Sequence, residues 1–196
     1  MGGGEGYSSP SDSTNPPVAV TKLQVGLLSQ ARALQDDLNR IAVSADTGSS
    51  QGLARLLQEA SLALLRHPDY WVYGASEAKQ TRLLAAEQEF NRFTLATRSR
   101  FSQETLSNVN RQLSQAEPNT LVNLQTEGPG EYIVATLVVA VQGRLDLPDI
   151  RSAADLRQAL SQIGAVSSDQ LLAVEVLWTP QRSGETLTAD EMIAEY

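Results

Sequence analysis

The stretch EYIVATLVVAVQG, residues 131–143, constrains the fold more than any other part of this chain. Ile133, Val134, Val138, Val139 and Val141 are β-branched and favour an extended backbone. A run this apolar belongs in the middle of a sheet, so the rest of the chain must supply its neighbours. Three other segments qualify. QLLAVEVLWTP, 170–180, reads as a second strong strand closed by Pro180. VAVTKLQVGLL, from Val18, alternates Leu23, Val25 and Leu27 with Gln24 and Gly26, the period of a half-buried strand. DYWVYGAS, 69–76, has the aromatic and β-branched content of a short strand. The strands at 131–142 and 170–179 are expected in the centre.

Between the strands the period becomes helical. Ala31, Leu34, Leu38, Ile41 and Ala45 recur at three- and four-residue steps and share one helical face. On the outer side, Asp36 stands four residues from both Arg32 and Arg40 and offers ion pairs. A second helix from about Ser50 carries Leu53, Leu56, Leu57, Ala60 and Leu64. Pro68 ends it, because proline lacks an amide donor and disfavours helix in the residue before it. A longer helical stretch is expected over 77–93, with Leu83, Ala86, Phe90 and Phe93 inward. Thr94 and Ser102 then read as N-caps of two further short turns. Residues 117–130 read as a loop around Gly-Pro-Gly. Ser152 and Asp155 stand at capping-box spacing before another helix that Gly164 stops. Thr188 and Glu191 open a short terminal helix in the same way.

Four strands with intervening helices give an α+β fold: a two-layer domain with a predominantly antiparallel sheet of about four strands packed by helices. It spans 18–196. The start, 1–17, is Gly/Ser/Pro-rich with little to bury, and reads as a flexible linker.

Composition narrows function by exclusion. A net charge of −8 argues against nucleic-acid binding, which needs a basic face. Residues 131–196 carry ten acids against four bases, while 1–130 carry thirteen against eleven. That asymmetry suits a basic partner, and also plain solubility. With no cysteine there is no disulfide, thiolate nucleophile or thiolate metal ligand. A single histidine removes His-rich metal sites, and no cofactor is expected. No run approaches the roughly 18 apolar residues of a membrane span, and no signal peptide is visible. The chain is therefore expected to be soluble as it stands.

LLRHPDYWVYG, 64–74, concentrates His67, Tyr70, Trp71 and Tyr73. As a general base, His67 would need an orienting acid and a positioned substrate, and Asp69 lies across a proline. The structural reading is preferred: Arg66 and His67 sit at a helix C-terminus, where positive charge suits the dipole. The carboxylate pairs Asp36–Asp37 and Glu87–Glu89 lie on solvated helix faces, with no cleft for glycoside hydrolysis. Glu175 shares a strand face with Ala173 and Leu177, opposite Val174, Val176 and Trp178. It reads first as the partner of an arginine and second as a site residue. Glu131 and Tyr132 open the other strong strand. Arg92, Arg98 and Arg100 interleave with Phe90, Phe93 and Phe101, which reads as core phenylalanines beside a solvated basic face. No phosphate loop and no Gly-x-Ser-x-Gly occurs.

Longer blocks carry a resemblance. KLQVGLLSQARALQDDLNRIAVSADTGSSQGLARLLQEASLALLRHPDYWVYG closely resembles the opening of domain-of-unknown-function family 1517, found in cyanobacteria and chloroplasts. FSQETLSNVN, EYIVATLVVAVQG, DLRQALSQIGAVSSDQLLAVEVLWTPQ and TLTADEMIAEY match in order, so the resemblance spans 18–196. It implies a glycine-rich region and a membrane segment ahead of this domain, and the first seventeen residues resemble the linker left when such an anchor is removed. It implies a thylakoid or plastid-envelope protein whose soluble domain faces cytosol or stroma. Chloroplast relatives are associated with acclimation to fluctuating light, which implies a regulatory role in photosynthesis. The resemblance brings no catalytic motif, cofactor or binding residue.

The expectation is a non-enzymatic, membrane-tethered interaction domain whose partner is a thylakoid or envelope membrane protein. It would bind through a sheet edge or through an acidic face including Asp155, Asp169 or Glu175. Self-association through an exposed sheet edge, giving a homo-oligomer, is compatible with that role. The alternative is a small-ligand binder or enzyme in which His67, Glu131 and Glu175 converge beside Tyr73 or Trp178.

Overall fold

The described residues, 14–114 and 132–179 of a computed structural model, alternate strands with helices. β1 (Pro17–Leu28) passes through a 3-10 turn at Ser29–Ala31 into α1 (Arg32–Ser44) and then α2 (Ser50–Leu65). A second 3-10 turn, Pro68–Tyr70, opens β2 (Trp71–Arg82), which runs straight into α3 (Leu83–Ser114). β3 (Tyr132–Gln142), α4 (Ala153–Gly164) and β4 (Leu171–Thr179) follow.

The strands form one sheet in the order β2-β1-β3-β4, and every neighbouring pair is antiparallel. The 133–141 run of β3 is buried throughout, and β3 is central as expected. β4 is an outer strand rather than a central one, and β1 takes the second central place. The physical reason is the second face of β1. Its polar residues Lys22 and Gln24, which suggest solvent, lie beneath a helix and are largely or wholly buried.

Alternation along the strands sorts the core into two faces. On the near face Leu23, Val25 and Leu27 of β1 join Ile133, Ala135, Leu137, Val139 and Val141 of β3 and Trp178 of β4. Leu34 and Leu38 of α1, Leu57 and Leu64 of α2, and Leu160 and Ile163 of α4 close over them. On the far face Val18, Val20, Val138 and Ala140 pack against Ala86 and Phe93 of α3. The α+β class and the four-stranded antiparallel sheet agree with expectation. To the two layers anticipated, α3 adds a third, over the far face.

Two boundaries move. β2 continues to Arg82, so 77–82 is strand and not the start of a helix. α3 is one continuous helix across the two short turns expected at 94 and 102. Thr94 caps nothing: it is buried in the helix, and its hydroxyl donates to the Asn91 carbonyl at 3.1 Å. The linker assignment also loses its last residues. The Asn15 side-chain oxygen accepts from the Leu84 amide at 3.0 Å, and the Pro16 carbonyl accepts from the Leu83 amide at 3.0 Å. These bonds satisfy amides that the first turn of a helix leaves unpaired.

Segment 143–152 carries the chain back over the near face of β2. The Gln80 side-chain Nε2 donates to the Gly143 carbonyl at 3.2 Å, and the Ser76 hydroxyl donates to the Pro148 carbonyl at 3.1 Å. Gly74 permits that approach, since a Cβ there would stand 2.5 Å from Ile150 Cγ2. α4 begins at the expected cap, with Ser152 Oγ accepting from the Asp155 amide at 3.2 Å. The Asp155 carboxylate reaches back one residue further than a capping box, to the Arg151 amide at 3.0 Å. The helix ends on Gly164 as expected, with Ala165 as its cap. A Cβ there would lie 3.0 Å from Ser61 Cβ, so this glycine brings α4 against α2. On α1 the ion pair is Arg40 with Asp37 at 2.8 Å rather than with Asp36.

The loop expected at 117–130, the helix expected from Thr188, Glu131 and the side chain of Ser102 lie outside the described residues. No helix among the described residues is long and apolar enough to cross a membrane.

Candidate functional site

The first candidate is the corner where α2 ends and β2 begins. Arg66 caps α2, its amide bonded to the Leu62 carbonyl at 3.0 Å. The His67 carbonyl accepts from the Tyr70 amide at 3.1 Å, which folds the 3-10 turn behind Pro68. The His67 ring stacks on Tyr70 with centroids 5.5 Å apart. Trp71 then reaches back, and its indole N–H donates to the Leu64 carbonyl at 3.1 Å, an acceptor at the helix end that the His67 amide also reaches at 3.3 Å. Arg157 of α4 lies over the Trp71 ring at 5.8 Å. His67 therefore occupies the helix-terminal position expected of it, and the aromatic cluster around it is a joint between α2, β2 and α4.

A shallow groove of about 340 Å³ opens beside this joint, between Trp71–Gly74 and the residues from Ile150 to the first turn of α4. Tyr73 and Arg151 both line it, and the Arg151 guanidinium lies 3.6 Å from Asp149. The groove brings no nucleophile, base and orienting acid together.

The second candidate is a charged seam beneath α3. Register places Glu77 of β2, Lys22 of β1, Val138 of β3 and Glu175 of β4 in one row across the far face. Lys22 pairs with Glu77 at 3.2 Å, with only 12% of the lysine side chain exposed. Its ammonium also stands 5.5 Å from the Phe93 ring centroid. At the other end of the row, Arg98 of α3 pairs with Glu175. One residue pair further along, Gln24 and Thr136 face each other, both buried, at 3.5 Å. Burying charge is tolerable only where a partner is supplied, and each charge of the row has one.

The residues expected to converge are dispersed. His67 precedes β2 at one side of the sheet, whereas Glu175 lies mid-way along β4 at the other. Strand spacing alone separates β2 from β4 by roughly 14 Å, and the step from the level of Trp71 to that of Glu77 adds roughly 20 Å along the strand. Tyr73 is on the far face, in a small cluster with Val134 and Tyr132. Trp178 points the opposite way into the near-face core, 8% exposed. Glu131 lies outside the described residues.

Lys22 and Arg98 are the members of the seam that sequence reasoning misses. The signal for Lys22 is strand alternation, which puts it with Val18 and Val20; Arg98 reads from sequence as solvated. Among the described residues no cluster of three or more acidic, histidine or cysteine side chains could hold a metal ion.

Comparison with known proteins adds the setting. The family described as protein of unknown function, DUF1517, matches residues 17–196. Protein FLAP1 homolog A of Synechocystis sp. is 48% identical over 198 residues, covering 98% of this chain and 60% of that protein. The chloroplastic FLUCTUATING-LIGHT-ACCLIMATION protein 1 of Arabidopsis thaliana is 41% identical over 180 residues, covering 91% of this chain and 45% of that protein. The chain thus spans about half the length of these curated relatives. No solved structure matches it.

Proposed function

The chain belongs to the DUF1517 family, and on that premise we propose that it is a non-catalytic regulatory or protein-interaction module in light acclimation. It belongs to a membrane-anchored protein of the thylakoid or a plastid-type membrane and faces cytosol or stroma. Its partner is a protein of that membrane. The names of the cyanobacterial and chloroplastic relatives support the light-acclimation setting.

The observation that carries the non-catalytic reading is where the reactive side chains are engaged. His67 stacks on Tyr70, Glu175 pairs with Arg98, Lys22 pairs with Glu77, and Trp178 sits in the core. A general base or nucleophile needs reach to a substrate, and these groups face their own chain.

The acidic surface is narrower than composition suggests. Asp146 lies 3.7 Å from Arg144, Asp149 lies near Arg151, and Asp155 is turned to a helix start. Of Asp155, Asp169 and Glu175, Asp169 is the exposed one without an ion pair among the described residues. It is the carboxylate most available to a basic partner.

The test is affinity enrichment from detergent-solubilised cyanobacterial thylakoids, with the chain as bait, alone and behind a restored membrane anchor. Reproducible enrichment of one photosynthetic complex or transporter, unchanged by H67F and weakened by D169N, is the expected result. Failure of both baits to enrich any membrane protein would end this reading and redirect the search to metabolites.

A further inference from the structure

Among the described residues no strand pairs with the outer side of β2 from Gly74 to Thr81, and an open strand edge is a template for another strand. Natural edges are blunted by prolines, bulges, shortness or charged side chains, lysine above all. Over most of its length β2 carries only the last of these, and its Glu77 and Lys79 are of opposite sign. It is twelve residues long and contains no proline. Its pairing with β1 is regular from Pro17 opposite Arg82 to Gly26 opposite Tyr73, and the shift lies beyond, between Gly26 and Leu27. Glu77, Ala78, Lys79 and Gln80 are exposed in succession, Glu77 and Lys79 on the far face and Ala78 and Gln80 on the near face, beside segment 143–152.

We propose that two copies of this chain join through β2, antiparallel about a twofold axis at Ala78, into one eight-stranded sheet. Charge selects both the occupant and the register. Residues directly opposite in an antiparallel ladder lie on the same face. A symmetric pairing must therefore place its axis on a residue, not between two. With the axis at Ala78, Glu77 of each copy faces Lys79 of the other, giving two reciprocal ion pairs. An axis at Glu77 opposes Glu77 to itself, and one at Lys79 opposes the two lysines. An axis at Ser76 or Gln80 leaves both charges facing neutral residues. Opposite charges across a ladder stabilise it and like charges destabilise it, so the Ala78 register is selected among the five.

The remaining side chains fit this register. Ala78 meets its own copy, Ser76 meets Gln80, and Ala75 meets Thr81, so nothing bulky is opposed. The axis is normal to the sheet, so α3 of both copies lies on one side and α1, α2 and α4 lie on the other. Lys22 pairs with Glu77 from within its own copy, so the charged row beneath α3 continues across the junction. This inference stands apart from the proposed membrane partner: a monomer that still captures a thylakoid complex would overturn the dimer and leave the partner reading in place.

The chain has no native cysteine, which makes the register directly testable on the full chain. At the axis, Cα atoms of opposed residues stand about 4.5–5.5 Å apart, inside the range a disulfide accepts. Mild oxidation of A78C should give a covalent dimer. S76C should not, because its copy faces Gln80, whereas an equimolar mixture of S76C and Q80C should cross-link. In sedimentation velocity the wild-type chain should show a concentration-dependent dimer. K79E and E77K should each weaken it at least about tenfold. Their equimolar mixture should recover it, because the two acids of one variant then face the two lysines of the other. Circular dichroism of each variant confirms the fold. If E77K fails to fold beside Lys22, the cysteine variants decide alone. A wild-type chain that stays monomeric, or equal cross-linking of A78C and S76C, would overturn the proposal.

Discussion

Arg98 on α3 and Glu175 on β4 form an ion pair that ties the far-face helix to the outer strand of the sheet. The arginine side chain is 61% exposed and the carboxylate 19%. The pair is therefore asymmetric: removing the arginine strands a mostly buried carboxylate, whereas removing both leaves little unsatisfied. R98A should lower stability by about 1 kcal/mol, and R98A/E175L should recover part of that loss. Urea unfolding of the two variants and of E175L closes the cycle. Equal stability of R98A and wild type would mean that the pair contributes nothing.

Gly74 lets segment 143–152 close over β2. G74A should cost about 1–3 kcal/mol, because the added methyl meets Ile150 and the packed segment must shift. G74A/I150A should lose less than the two single changes added together, since the smaller side chain makes room. Thermal unfolding of the three variants checks this.

The corner at His67 predicts two unlike results. H67F keeps a ring against Tyr70, and stability should stay within about 0.5 kcal/mol of wild type. W71F removes the N–H that reaches the Leu64 carbonyl and should cost about 1 kcal/mol. Urea titration separates them. A larger loss in H67F than in W71F would contradict the joint as described.

Ser49 caps α2, its hydroxyl accepting from the Gly52 amide at 3.0 Å and donating to Asp46 at 2.8 Å. S49A should cost about 1 kcal/mol, and S49D should cost less toward Gly52 but meet the like charge of Asp46. The same unfolding measurement orders the three chains.

The strands with strong alternation and the helices with clean stripes are legible in the sequence: β1, α1, α2, β3, α4 and β4. β2 is only half legible. Its outer half, EAKQTR from Glu77, carries no apolar period, and Ala, Glu, Lys and Gln favour helix when nothing else decides. Pairing with β1 overrides that preference. The strand order is hidden for a related reason. Lys22 and Gln24 look solvent-facing, and only the packing of α3 across them shows why β1 can be central. The alternation that puts Glu175 opposite Trp178 holds, and it is also what keeps those two residues from sharing a site. What no local pattern carries is long-range register, so the row from Glu77 to Glu175 is invisible until the strands are paired.

The most direct measurement is complementation under fluctuating light. A cyanobacterial strain lacking its own homologous protein would receive the full-length protein carrying H67F and E175Q together, changes that remove the imidazole and the carboxylate. If the domain works by binding, the variant accumulates and restores growth as well as the unaltered protein. A variant that accumulates to the same level yet fails to restore growth would contradict the account, since it assigns neither group a role beyond the fold.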